Sequence, residues 1–202
     1  IEKKMWLTTY QDGFWDLYWG LLLLGFGISP VLENFGINKP INFIIFPILA
    51  FFVLFAGKKF ITTPRMGIVK FGSKRKSDHK KLFVMGIITF IFTSVVLFLT
   101  KYSTINTTWK DSFAGLASPI GFALFFILTI SVIAYFMEFR RLYFYAFLFG
   151  ISILLAEALY FFVGEPLDGL IAFSATSLPI LITGIVLFIK FIHKYKIETG
   201  GI

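Results

Sequence analysis

The sequence predicts an all-α integral membrane protein, a bundle of six transmembrane helices with the N-terminus and the C-terminus both cytoplasmic. The first reason is composition: 57% of the 202 residues are hydrophobic and the mean hydropathy is +0.84, whereas soluble domains are about 45–50% apolar. The second reason is a series of long apolar runs, each close to the roughly 20 residues that cross the hydrocarbon core as a helix. The third is the bias of lysine and arginine toward alternate segments between those runs.

Six apolar runs define the spans, and the segments between them are too short to hold a sizeable aqueous domain. We therefore predict a single transmembrane domain over residues 1–202. The predicted spans cover residues 14–32, 41–57, 82–100, 113–136, 142–163 and 169–192.

Three aspartates stand just before apolar runs, at Asp12, Asp111 and Asp168. A short carboxylate at a helix start accepts hydrogen bonds from free backbone N–H groups and faces the positive end of the helix dipole. We therefore interpret all three as helix caps rather than catalytic acids.

A basic segment, residues 58–81, separates the second and third spans and carries nine lysine or arginine residues. With a cytoplasmic N-terminus and six alternating spans, sixteen of the nineteen basic residues fall on the inner side. Cytoplasmic loops near span ends accumulate lysine and arginine. The distribution therefore predicts the orientation, and the basic segment is its main determinant.

The basic segment also has candidate binding roles. A lysine or arginine held at a cytoplasmic membrane surface gains about 1 kcal/mol from anionic headgroups, so contact with lipid or a partner protein is as compatible with the segment as a role in orientation alone. Nucleic acid is not expected, because the segment has neither a reading helix nor an aromatic stacking platform. The candidate contact residues are Arg65, Lys70, Lys74, Arg75, Lys76, Lys80 and Lys81.

Two short stretches resemble a known group of proteins. The Asp12-Gly13 pair that opens span one and the stretch PRMGIVKF, residues 64–71, are similar to an uncharacterised group of prokaryotic polytopic membrane proteins with a PRxGxVxF-like cytoplasmic segment. The resemblance covers about the first third of the chain. It implies a polytopic protein of a prokaryotic cytoplasmic membrane and carries over no activity.

Glu157 is the ionisable residue placed deepest in a predicted span. A charge at the centre of a bilayer costs about 2.5–3.5 kcal/mol on insertion scales, so we expect a neutral acid hydrogen-bonded to a neighbouring helix. Two hydroxyl pairs are candidate partners, and either packing or an ion, proton or substrate site is compatible with the pattern. The candidate polar residues are Glu157 with Thr89 and Thr93 on span three and Ser174 and Ser177 on span six.

Signatures of enzymes and cofactors do not occur in the sequence. The chain has no cysteine and only two histidines, His79 and His193, which are not placed to form a metal site or a haem clamp. No HExxH, GxSxG, phosphate-binding or dinucleotide-binding motif is present. We therefore expect no cofactor and favour a non-enzymatic role, while an unrecognised intramembrane activity stays open.

Two functions agree with the sequence. In the first, the protein is an accessory or scaffold subunit of a larger membrane complex with other membrane protein subunits, and its basic cytoplasmic segment contacts a partner or anionic lipid. In the second, it is a small transporter or channel with an intramembrane acid at Glu157. We favour the first, because no span carries several ionisable groups in register, as an ion path requires.

Overall fold

The computed structural model describes residues 10–36, 39–66 and 117–195, and within these ranges every regular element is a helix. α1 is Phe14–Asn34 and α2 is Lys39–Ala56, which continues through a π-helical turn, Gly57–Thr62, into α3, Thr63–Met66. The later helices are α4, Ala117–Met137; α5, Arg141–Val163; and α6, Leu167–Lys194.

Five helices in the described part are long and apolar enough to cross a membrane. They correspond to the first, second, fourth, fifth and sixth predicted spans, so the polytopic helical architecture is confirmed. Span three, residues 82–100, lies outside the described residues, and the count of six and the side on which the termini lie stay predictions.

The second helix is longer than the sequence predicts. The sequence places the start of a cytoplasmic loop at residues 58–66, but the candidate span runs from Ile44 to Met66 without a break. The prediction ends the helix at the first lysines because they are charged. In the structure the helix continues past these lysines. Lys58 forms an ion pair with Asp12, and Lys59 lies over the rings of Phe55 and Phe60, 5.8 and 5.6 Å from their centroids.

The chain divides into two compact units, one made of Ile1–Lys70 with Ile151–Ile202 and the other of Phe71–Gly150. In the first unit, α1 packs against both α2 and α6. The Phe14 ring at the start of α1 meets Gly57 just after α2 and lies 5.1 Å from the Phe188 ring near the end of α6. Both neighbours therefore run antiparallel to α1. The prediction of a single domain stays a prediction.

Glycines let the helices of the first unit approach closely. Gly13, Gly20 and Gly27 are spaced by seven residues and meet α6 in turn. A Cβ atom on Gly20 would lie 2.7 Å from Leu181 Cδ2, and one on Gly27 would lie 2.8 Å from Phe173 Cβ. Small residues at such positions are the usual way for membrane helices to gain packing contact.

The second unit contains α4 and the first part of α5. Phe126 and Phe149 stack with ring centroids 5.0 Å apart, and Gly150 gives room to the Ile127 side chain. A neighbouring helix therefore approaches closely at Gly150. Glu138, which has a φ of 53°, forms the turn between the two helices.

Candidate functional site

A buried ion pair forms at the end of the first unit where α1 begins. Asp12 is fully buried, and its Oδ2 atom accepts hydrogen bonds from Lys58 Nζ at 2.6 Å and from the Thr62 hydroxyl at 2.8 Å. Its Oδ1 atom accepts the backbone N–H of Phe14 at 3.2 Å. One carboxylate therefore ties the start of α1 to the end of the second span.

The surroundings of this ion pair exclude most water. The Lys58 side chain is 22% exposed and Thr62 is 7% exposed. Asp16, also fully buried, lies within electrostatic range of the Lys58 ammonium. Attraction between opposite charges is stronger in such a site than in water. Removing one partner of a buried pair lowers the free energy of unfolding more than removing both, because it leaves a buried charge without its counter-charge.

The π-helical turn aims both donors at the same carboxylate. Lys58 and Thr62 are four residues apart, about one helical turn, so their side chains lie on the same face of the helix. The Lys58 carbonyl accepts both the backbone N–H and, at 2.8 Å, the hydroxyl of Thr63. These bonds hold the turn in its wider form.

Close backbone packing seals the ion pair. Gly13 has a φ of 78°, and a Cβ atom there would overlap the carbonyl oxygen of Gly184 on α6. The ring of Phe14, which is 4% exposed, fills the space above Gly57. Glycine is therefore required at residue 13 both by its left-handed backbone and by the closeness of α6.

The capping predictions meet different outcomes. Asp12 does accept an N–H at the start of α1, but most of its hydrogen bonding goes to Lys58 and Thr62. Asp168 is not the cap of α6: the helix begins at Leu167 after Pro166, and no side chain makes a capping hydrogen bond there. Its carboxylate lies in the first turn, where the helix dipole favours it. Asp111 lies outside the described residues.

Glu157 is half-buried in α5. Among the described residues no hydrogen bond or ion pair reaches its carboxyl group. Ser177 is fully buried and donates to the carbonyl of Ser174 at 3.1 Å within its own helix. Thr89 and Thr93 lie outside the described residues, so their proposed contact with Glu157 stays a prediction.

The basic contact residues are described only at the start of the segment. Arg65 is half-buried and donates from Nη1 to the carbonyl of Ile61 at 3.0 Å. Lys70, Lys74, Arg75, Lys76, Lys80 and Lys81 lie outside the described residues.

Sequence reasoning missed the pairing of Asp12 with Lys58, although the sequence carries a signal for it. Asp12 precedes span one and Lys58 follows span two, and consecutive spans are antiparallel when their connection is short. The two charges must therefore lie at the same end of neighbouring helices. Interpreting each residue alone, Asp12 as a cap and Lys58 as part of a loop, hides that relation.

Comparisons of the chain with models of protein families, with curated proteins and with solved structures found no match.

Proposed function

We propose that the protein is an accessory or scaffold subunit of a larger membrane complex. We propose further that the end of the first unit where α1 begins contacts a partner subunit or anionic lipid. The observation that supports this most is the arrangement of charge at the end of the first unit where α1 begins and α6 ends. Lys59, Lys190 and Lys194 are exposed there, whereas Asp12 and Asp16 are buried. The described part of this end therefore exposes positive charge and buries its carboxylates.

Three hydroxyl groups on α1 and α6, away from the Asp12–Lys58 site, also favour a packing role over a transport path. Ser29 donates to the carbonyl of Gly25 at 2.7 Å, Thr176 to that of Ala172 at 3.0 Å, and Thr183 to that of Pro179 at 2.8 Å. Each bond stays within one helix. A path for ions needs polar groups from several helices that face a common route.

The test is purification of the tagged chain from membranes of its source in mild detergent. A subunit should bring down another polypeptide in a fixed ratio. Replacing Lys59, Lys190 and Lys194 together by Gln should weaken that association by about tenfold, if each exposed charge contributes roughly 0.5 kcal/mol. The matched control changes Glu165 and Asp168, at the opposite end of the first unit, to Gln and Asn.

Two results would contradict the proposal. One is a chain that purifies without a polypeptide of different sequence. The other is a partner that the control releases as readily as the lysine variant does.

The alternative, a small transporter or channel, has one observation in its favour, the half-buried carboxyl group of Glu157 within a membrane span. Intramembrane acids often mark substrate or proton pathways. Proteoliposomes provide its test: ion or proton flux that is present in the wild type and lost in Glu157→Gln, with unchanged folding, would favour this function over the first.

A further inference from the structure

Three exposed lysines lie at the end of the first unit where α1 begins, within the last turns of two candidate spans. Lys59 lies seven residues before Met66, where the second span ends, and Lys190 lies four residues before Lys194, the last residue of α6. At a rise of 1.5 Å per residue, these separations are about 10 and 6 Å along the helix axes. A lysine side chain at such a depth extends along the helix until its ammonium reaches the headgroup level of the membrane.

The acidic groups of this end do not neutralise the three lysines. Asp12 and Asp16 are fully buried, and Asp12 accepts hydrogen bonds from Lys58 and Thr62. Within the described residues, none of the three exposed lysines forms an ion pair. The negative end of the α6 dipole amounts to about half an elementary charge, less than the charge of one lysine. The described part of this end therefore carries an excess of positive charge.

No segment outside the described residues has a net negative charge that could balance this excess. Residues 1–9 hold two basic side chains and one acidic one, residues 67–116 hold eight and two, and residues 196–202 hold one of each. A cover made from any of these segments brings at least as much positive charge as negative. The counter-charge therefore comes from outside the chain.

Anionic lipid supplies negative charge at the depth of these lysines. The phosphate of a lipid lies at the membrane surface already, and a lysine held near an anionic leaflet is attracted to it. A carboxylate on a partner helix would have to lie at the edge of the hydrocarbon, which is unfavourable. Lys59 also lies over the rings of Phe55 and Phe60, which are 55% and 69% exposed. A phospholipid offers both a phosphate for the ammonium and hydrocarbon for the rings.

We propose that Lys59, Lys190 and Lys194 bind the phosphate headgroups of anionic phospholipids, so that the chain concentrates these lipids around the end of the first unit where α1 begins. The inference rests on the proposed function in using the same end of the molecule. It goes further in naming lipid, and not a partner subunit, as the group that the lysines contact.

Spin-labelled lipids test this on the full-length chain, purified and returned to phosphatidylcholine bilayers. The electron paramagnetic resonance spectrum separates labelled lipid in contact with the protein from free lipid, and so gives a relative association constant for each lipid. Labelled phosphatidylglycerol should associate about fivefold more strongly than labelled phosphatidylcholine at low salt, a difference of about 1 kcal/mol. Added salt should reduce the preference, because it screens exposed charges.

Two triple variants identify the lysines as the source of the preference. Replacing Lys59, Lys190 and Lys194 by Gln removes three charges and should lower the preference by about half or more. Replacing the same residues by Arg is the matched control, because it keeps the charges, and it should retain the preference. Circular dichroism checks folding, and if the triple Gln variant does not fold, the same comparison with Lys194→Gln decides.

The outcomes separate this proposal from the subunit role. A preference that the Gln variant loses and the Arg variant keeps supports the proposal. A wild-type chain without preference for phosphatidylglycerol overturns it, as does a full preference in the Gln variant. A chain that brings down a polypeptide yet shows no lipid preference is a subunit whose lysines bind protein, whereas lipid preference in a chain that purifies alone contradicts only the subunit role.

Discussion

The Asp12–Lys58 ion pair yields the sharpest prediction, a measurable energetic coupling between two residues 46 positions apart. Asp12→Asn removes the carboxylate that is hydrogen-bonded to the Lys58 ammonium and leaves the more distant Asp16, and Lys58→Met leaves the Asp12 carboxylate without its cation. Loss of one partner of a fully buried pair costs about 3–5 kcal/mol. Because Lys58 keeps 22% of its side chain exposed, water screens part of that cost, and we expect about 2–3 kcal/mol for each single variant.

The double variant should be less destabilised than the sum of the single variants. With both charges removed, the single amide oxygen introduced by Asp12→Asn can still accept from either Thr62 or the Phe14 N–H, which donate to different oxygens of Asp12, and the remaining loss should be about 1 kcal/mol, the worth of one hydrogen bond. The expected coupling energy, the sum of the two single losses minus the loss in the double variant, is therefore about 3–5 kcal/mol in favour of the wild-type pair.

Unfolding in mixed micelles by titration with sodium dodecyl sulfate, followed by circular dichroism, measures these free energies. Lys190→Met is the control, because Lys190 is an exposed lysine on α6 near the same end of the first unit, and it should change stability by less than about 0.5 kcal/mol. Single-variant losses that simply add, with a coupling below about 0.5 kcal/mol, would refute the energetic role of the ion pair.

Three further predictions concern packing, orientation and lipid binding. Gly27→Ala should destabilise the protein by about 1–3 kcal/mol in the same titration, because the added Cβ atom would lie 2.8 Å from the Cβ atom of Phe173. Gly169→Ala should not, because no atom lies near the position of its added Cβ atom, and equal losses in the two variants would count against the close packing. Cysteine at Ser73 should resist a membrane-impermeant thiol reagent in intact cells while cysteine at Thr104 reacts, and the opposite order would reverse the topology. A peptide covering residues 58–81 should bind anionic vesicles less tightly when five of its basic residues are replaced by Gln, namely Lys74, Arg75, Lys76, Lys80 and Lys81. The loss at low salt should be up to about 1 kcal/mol per charge removed. Binding that responds neither to these replacements nor to added salt would exclude the lipid role.

Hydropathy located the described spans well, because a hydrocarbon core imposes a length and an apolar character that a single sequence displays directly. The fifth predicted span, 142–163, corresponds to Arg141–Val163 in the structure, and the sixth, 169–192, to Leu167–Lys194. The error at the end of span two has a different origin. Charge usually marks a span end, but the charge of Lys58 is neutralised by a residue on another helix, and no local pattern records that contact.

The glycines of α1 illustrate the same limit. Their spacing of seven is visible in the sequence, yet spacing alone does not say which helix they face. Gly25, on the same helix, instead accommodates the Phe46 side chain of α2. The spacing of Gly13, Gly20 and Gly27 can be assigned to a helix contact only in the structure, where α6 runs antiparallel to α1 along these glycines. The candidate site likewise could not be recognised without the packing of the helices. In the sequence, an aspartate that caps its own helix is indistinguishable from one that binds a residue of a neighbouring helix.

The π-helical turn, Gly57–Thr62, sets the rotation of the last residues of the second span about the helix axis. A π-helical turn amounts to one residue inserted into an α-helix, and each residue of an α-helix turns the chain by about 100°. All side chains from Thr63 to Met66 therefore point about a quarter-turn away from where an uninterrupted α-helix would place them. Deleting a single residue between Gly57 and Thr62 would keep the composition of the segment almost unchanged, yet it would rotate Arg65 to another side of the bundle. The rotational phase of residues 63–66 is thus encoded by residue count, a property that substitution experiments alone do not reveal.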